Sequence, residues 1–292
     1  MIYICPMSKN IVDVVIELQS ENLGLLPSRR QIDYNGGYVN NWNTQTFSEY
    51  VKKYSDLIIE RDHSGAEQGI LNNDEYISLD IDSNYIDIVH VDPWKKYENL
   101  EDGISETVKY IKFIHNKNKN VKFEVGTEES IRKFSPEELS DFIQELKNRL
   151  SKDEFEKIEY VCIQSGVSLD IVEQKNNGDF NRDRLIKMID ITSKYDKKSK
   201  EHNGDYLSND EIKKRFNDGL DSINIGPEIV QLETQLYLDN FTDTQLQEFY
   251  EVCLESRKWE KWVTEDFDIT NKKMLILVCG HYCYSKYNLP NL

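Results

Sequence analysis

The chain alternates short apolar runs with longer segments whose apolar positions recur every three or four residues. Eight of the short runs have β character: IYIC (2–5), RQIDY (30–34), DLIIE (56–60), IDIVHVD (86–92), VKFEVG (121–126), EYVCIQ (159–164), SKEH (199–202) and SINIG (222–226). The seventh is the weakest, because KYDKKSK (194–200) is a charged stretch that, taken alone, reads as a solvated loop. Helical stripes fill most of the gaps. Ile11, Val14, Val15 and Leu18 share one face, and so do Ile104, Val108, Ile111 and Ile114. A third stripe, Phe134, Leu139, Phe142, Ile143, Leu146 and Leu150, opens with Ser135-Pro136-Glu137-Glu138, which supplies an N-cap, a proline at the first helical position and acids in the first turn. Leu185, Met188 and Ile189 form a fourth, and Ser208-Asn209-Asp210-Glu211 opens a fifth that ends near Gly219.

Strands alternating with helices imply parallel strands joined by crossover helices. Eight such units between residues 2 and 226 predict an α/β fold of the (β/α)8 TIM-barrel class with a C-terminal helical extension. An open doubly wound sheet is the structural alternative, but no G-x-G-x-x-G follows the first run, which weighs against its dinucleotide-binding version. Beyond Gly226, residues 227–238 and 242–257 read as helices, followed by Trp259, Trp262, the apolar MLILVCG (274–280) and the aromatic HYCYSKYNLP. The expected organisation is a barrel over 1–240 and a helical cap packed on it over 241–292. There is no internal repeat and no Gly/Ser/Pro linker between them.

Charge narrows the range of partners. The 292 residues carry a net charge of −17, a surface that repels nucleic-acid phosphates and anionic lipid. A small phosphorylated ligand is not excluded, because backbone N–H groups can hold one locally. The 5 cysteines are scattered and read as reduced thiols of a cytoplasmic protein. No apolar stretch approaches the length of a membrane span, and the N-terminus lacks the basic-then-apolar signature of a signal peptide.

In a barrel, chemistry gathers at the C-terminal ends of the strands. The third run leads through LIIERDHSGAEQG (57–69) to Asp62 and His63, and the fourth to His90 and Asp92. The fifth reaches Glu124 and then Glu128, the sixth Gln164-Ser165-Gly166, the seventh His202-Asn203-Gly204, and the eighth Asn224 and Gly226 ahead of a helix start at Pro227. Imidazoles with carboxylates suit a borderline divalent ion such as zinc, manganese or nickel. Gly166, Gly204 and Gly226 allow backbone to approach a phosphate, although each is also explained by a turn. His90 reads as a strand-end hydrogen bonder and not a ligand. His115 reads as favourable to a helix C-terminus. Cys279-x-His281-x-Cys283 lacks a nearby fourth zinc ligand and lies among aromatics that pack on the barrel.

In order along the chain, GGYVNNW (36–42), RDHSG (61–65), VHVD (89–92), EVGTE (124–128), QSGVSLD (164–170), EHNGDYL (201–207), NIGPEI (224–229) and HYCYSKY (281–287) resemble the accessory, non-catalytic subunit family of class II D-tagatose-1,6-bisphosphate aldolase, which includes ketose-phosphate 4-epimerase-like members. The resemblance implies a TIM barrel with a divalent metal, zinc first and manganese, nickel or magnesium after it. It implies a sugar or sugar-phosphate ligand, and a homo-oligomer or a catalytic aldolase subunit as partner. It matches Asp62 to a proton-transfer aspartate, His63 and His202 to metal histidines, and Glu124 and Glu128 to an acidic stretch that assists metal and proton transfer, with Gln164 in the place of a further metal histidine. A carboxylate base that takes and returns a hydroxyl proton could be Asp62, Glu128 or Asp92. Gly166, Asn203, Gly204, Asn224 and Gly226 fall to substrate or phosphate. Two functions follow: a metal-dependent ketose-phosphate 4-epimerase or aldolase, or an accessory subunit that stabilises a separate aldolase. An isomerase of an unphosphorylated sugar is a third, prompted by the acidic chain.

Overall fold

The computed structural model describes residues 1–290. Its strands are β1 (Ile2–Ile4), β2 (Leu23–Leu25), β3 (Ile58–Ser64), β4 (Ile88–Val91), β5 (Lys122–Val125), β6 (Ile158–Ile163), β7 (Leu169–Asp170), β8 (Lys175–Asn176), β9 (Lys198–Glu201) and β10 (Ser222–Ile225). All but β7 and β8, a small antiparallel ribbon in the loop after β6, pair in parallel and close into a barrel in which β10 returns to β1. Its helices are α1 (Lys9–Leu18), α2 (Thr44–Tyr54), α3 (Glu75–Tyr85), α4 (Leu100–Lys117), α5 (Pro136–Arg149), α6 (Lys152–Glu156), α7 (Arg182–Lys194), α8 (Asn209–Asn217), α9 (Pro227–Asn240), α10 (Asp243–Ser256) and α11 (Lys272–Cys279). The fold is the (β/α)8 barrel that the alternation predicts, with helices continuing beyond it. No helix among the described residues is long and apolar enough to cross a membrane.

Local signals account for much of the helical ring. Ser135 caps α5 through a reciprocal box with Glu138, and Ser208 does the same for α8 with Glu211. On α1 the buried stripe is Ile11, Val12, Val15 and Ile16, whereas Val14 and Leu18 of the expected face are exposed.

The second strand departs from expectation. RQIDY (30–34) lies in the loop after β2, and the barrel strand is the three-residue LGL at Leu23–Leu25. That strand is too short to show a period, and its centre must be glycine: a Cβ on Gly24 would lie 2.5 Å from the Tyr3 ring. The misleading alternation in 30–34 belongs to a buried polar loop. Arg29 is fully enclosed, pairing with Asp33 at 2.9 Å and with Asp74 at 2.7 Å, and Ser78 donates to Asp33.

β9 is the converse case. KSKE looks solvated, yet Ser199, Lys200 and Glu201 are all buried. Each polar group has a partner. Ser199 donates to Asp221, Glu201 accepts from Arg215 and Ser165, and Lys200 sits inside the barrel, 2.7 Å from Glu60 and 3.0 Å from Glu124. The Lys200 ammonium also lies 4.0 Å from the centroid of the Tyr3 ring. Burial, reinforced by the Glu124 charge, raises Glu60 far above the usual carboxylate range. Glu124 is held well below that range because His90, Lys200 and His202 outweigh its own burial. The two carboxyl groups are thus pushed in opposite directions, with the Lys200 ammonium between them. Lys200→Met leaves two enclosed carboxylates without their cation and is expected to cost about 3–5 kcal/mol of stability. Urea unfolding checks this, and a loss below about 1 kcal/mol would show that the network is not needed for folding.

Candidate metal and substrate site

Four ionisable residues follow the apolar start of β3, and the strand separates them. Glu60 faces the barrel interior, and Arg61 faces outward, fully buried against α3, with a bidentate pair to Asp82 at 2.9 and 2.7 Å. Asp62 and His63 would then be expected to point to opposite faces, but a bulge intervenes. Arg61 pairs with Val89 and Ser64 with Val91, so Asp62 and His63 together oppose the single residue His90. His63 takes φ 44°, a left-handed conformation uncommon for a residue with a side chain. The result turns both side chains into the mouth of the barrel.

There the imidazoles of His63, His90 and His202 form a near-equilateral triangle with ring centroids 4.9, 5.2 and 5.0 Å apart. One nitrogen of each is held from behind. His63 Nδ1 lies 2.5 Å from Asp92 Oδ2, His90 Nε2 3.1 Å from the Gly126 carbonyl, and His202 Nε2 2.8 Å from Glu124 Oε1. The other nitrogen of each faces Asp62 Oδ1, at 3.6, 3.9 and 3.9 Å respectively. His90 Nδ1 also accepts, at 3.3 Å, from the His63 amide, a long hydrogen bond that a bound cation would have to replace. Asp62 Oδ1 is buried and has no hydrogen-bond partner. An orphaned carboxylate oxygen facing three oriented imidazoles is a group that could hold a divalent cation, since the four donor atoms all lie within 4.8 Å of one another.

The electrostatics agree. Burial disfavours charged His63, yet Asp62, Asp92 and Glu128 outweigh it and raise its pKa to about 10. His90 is raised for the same reason, against burial, chiefly by Glu124 and Asp62. Asp62 is held well below the usual carboxylate range, the three imidazoles overcoming the opposing effect of its burial.

Other expected site residues lie farther back. Glu124 is fully buried behind His202, with its oxygens taken by His202 and Lys200, so it orients a ligand and does not face the open site. It also forms a possible donor group with Cys162 and His202, but with those oxygens already engaged. Asp92 accepts from Gln68, Thr127 and the Trp94 amide as well as meeting His63, which leaves it buried and fully bonded. Gln164 is not among the converging donors. Its amide donates to the carbonyls of Thr127 and Arg132 and accepts from the Phe134 amide and Arg184, so it fastens loops. The third imidazole comes instead from His90, which the strand-end reading set aside. Its sequence signal was an inward-facing position on β4, and only the bulge in β3 brings His63 beside it.

Glu128 and Asn224 face a cavity of about 490 Å³ above the triangle. Glu128 Oε2 is 3.9 Å from His63 Nε2 and accepts from Asn203 at 2.8 Å, while its other oxygen accepts from Ser130. Asn224 is buried with neither its Oδ1 nor its Nδ2 bonded, so its amide is available to a ligand. The expected phosphate glycines do not fit that role. Gly166 has φ +93° and packs so closely on the Asp179 carbonyl that a Cβ would lie 2.0 Å from it, a turn requirement. The Gly204 amide donates to the Asn224 carbonyl, and the Gly226 amide donates to Asp205 Oδ1, which also accepts from Glu228 N at the start of α9. Burial raises Asp205 to about 7, its backbone hydrogen bonds opposing the shift.

The C-terminal extension supplies part of the wall through Trp262 and Tyr282. His281 makes no hydrogen bond and packs against Tyr38 and Tyr282, while Cys279 and Cys283 face carbonyls of α10. Among the described residues they are not part of a metal-binding group.

No protein-family model matches the chain, and no curated protein matches it. Solved structures do. The fructose-bisphosphate aldolase from Campylobacter jejuni superposes with a TM-score of 0.58 at 11% identity, over 97% of this chain and 86% of that one. The chain has the fold of the barrel aldolases. A fructuronate-tagaturonate epimerase from Cohnella laeviribosi gives 0.58 at 10% identity, over 98% and 72% of the two chains. The YdjI aldolase from Escherichia coli K12 gives 0.53 at 13%, over 97% and 88%. At these identities the likeness is one of architecture.

Proposed function

We propose that this chain is a divalent-metal-dependent enzyme of the aldolase or ketose 4-epimerase type, which breaks the carbon–carbon bond beside a ketose carbonyl and, as an epimerase, re-forms it on the other face of the aldehyde fragment. The observation that carries this reading is the imidazole triangle around the unpaired Asp62 Oδ1. His63, His90 and His202 would hold the ion, with Asp62 as fourth donor. When bound, the cation would polarise the ketose carbonyl and offset the charge left by cleavage, zinc being the first candidate for this donor set.

The remaining work belongs to the chain's own side chains. With Asp62 Oδ1 turned to the imidazoles, Glu128 is the carboxylate placed to take the hydroxyl proton and return it. Asn203 and Ser130 hold its oxygens in place. Asn224 offers a donor and an acceptor to substrate hydroxyls at the floor of the cavity. Trp262 and Tyr282 cover one side, limiting water around the reacting carbons. Asp92 and Glu124 fix the His63 and His202 rings. An accessory role alone gives no physical reason for three oriented imidazoles and an unbonded buried amide at one mouth.

The test is metal analysis of the purified protein after equilibration with zinc, manganese and nickel, followed by NMR of ketohexoses, their 6-phosphates and ketohexuronates. One ion per chain with C4 inversion or triose release is the expected outcome. A protein that takes up no ion defeats the reading, as does an ion-loaded protein inert toward all three classes.

A further inference from the structure

The cavity is charged unevenly. Its floor carries Asp62, Glu128 and Asp205, and its rim carries Arg30, Lys95 and Lys261. The three rim cations come from distant places: the loop after β2, the loop after β4 and the C-terminal extension. Carboxylates are abundant in this chain, 53 acidic residues against 36 basic, yet among the described residues none of the three rim cations is in a salt bridge. The neighbouring arginine shows the contrast, since Arg29 is buried and paired twice. Contacts that leave the rim charges unneutralised hold two of them in position. Lys95 Nζ donates to the Glu67 carbonyl at 2.6 Å. Lys261 Nζ lies 4.1 Å from the Trp262 ring and 4.9 Å from the Tyr282 ring. Burial, and after it the Arg30 charge, lowers the pKa of both lysines, that of Lys261 to about 8. Three cations lining one cavity, none of them in a salt bridge among the described residues and with the Arg30 charge acting on both lysines, suit an anion.

The other place for an anion is already taken. In a barrel of this kind the N-terminus of the helix after the last strand is a natural oxyanion site. Here Asp205 Oδ1 accepts from the Gly226 and Glu228 amides, so those donors are already engaged and its carboxyl fills the place.

We infer that the substrate bears an oxyanion, a carboxylate or a phosphate monoester, held at the rim by Arg30, Lys95 and Lys261 and not at the start of α9. This deepens the ketose reading, on which the rest of the substrate's identity depends. With the anion at the rim, the reacting carbons reach down toward Asn224 and Glu128 on the floor.

Binding, measured apart from turnover, tests the inference. Isothermal titration of the zinc-loaded protein with D-fructose, D-fructose 6-phosphate and D-fructuronate should show at least one anionic sugar bound about tenfold or more tightly than the neutral one. Which of the two leads identifies the oxyanion. In the double variant Arg30→Gln/Lys261→Gln the ratio of anionic to neutral affinity should collapse toward one, and in the native protein it should shrink with added salt. Equal binding of all three sugars overturns the inference, and so does a preference that survives the double variant. The retro-aldol reading is judged separately: an anion preference lost in the variant, with no bond cleavage by the native protein, upholds the rim site and removes the chemistry.

Discussion

Metal content should fall away in a His90→Ala protein as completely as in His63→Ala or His202→Ala. Each of the three presents one nitrogen to Asp62 Oδ1 and has the other fixed by Asp92, the Gly126 carbonyl or Glu124. Removing an orienting partner from such a site typically costs about 10–100-fold in metal affinity, and removing the ligand itself should cost more. Zinc competition titrations measure this directly. Binding should also release protons. Because the surrounding carboxylates raise His63 to about 10, it is protonated in the metal-free chain at neutral pH, and the ion must displace that proton; His90 is shifted in the same direction. Affinity therefore rises with pH toward the His63 value and weakens as pH falls. A His90→Ala protein that holds zinc as tightly as the native one would remove His90 from the ligand set.

Turnover should collapse in Glu128→Gln while the ion stays. The substitution keeps the size of the side chain but removes its capacity to accept and return a proton, a role worth about 10²–10⁴ in rate. Glu128 lies at the cavity, 3.9 Å from His63 Nε2, and does not back any imidazole as Asp92 and Glu124 do. Asp62→Asn should behave differently, losing the ion along with the activity, because its Oδ1 is the point on which the imidazoles converge. Rate constants and metal content measured on both variants decide the matter. If Glu128→Gln stays within about tenfold of the native rate, and Asp62→Asn is inert but metal-loaded, proton transfer belongs to Asp62, as the family resemblance implies.

RQIDY is the β-type segment that lies outside the barrel, and SKEH is the weak one that the barrel keeps, as part of β9. RQIDY reads as an alternating strand because Ile32 is buried beside polar residues, but its neighbours Arg29 and Asp33 are buried too, bonded to Asp74 and Ser78 from α3 and the turn before it. A hydrophobic period cannot distinguish an exposed charge from a buried, paired one. KSKE at β9 makes the same point from the other side, since its partners Glu60, Glu124, Arg215 and Asp221 lie elsewhere in the chain.

The site divides in a similar way. Asp62, His63 and His202 were readable because polar residues at strand ends share one mouth of a barrel. His90 carries no sequence feature that sets it above the other strand-end residues, and the family resemblance alone sets Gln164 where that family has a histidine. Their actual places depend on loop bonds around Gln164 and on one extra residue in β3.

What the linear chain determined, then, was the alternation of strand and helix, the caps that start α5 and α8, and the strand ends that carry ionisable groups. These depend on residues near one another, where period and capping chemistry act directly. The bulge that aims Asp62 and His63 together, the partners that bury β9, the Asp205 carboxylate on the amides of α9 and the unpaired cations of the rim were decided by tertiary structure. Each is a matter of which distant group lies within hydrogen-bonding or Coulomb range, and only the closed barrel sets those distances.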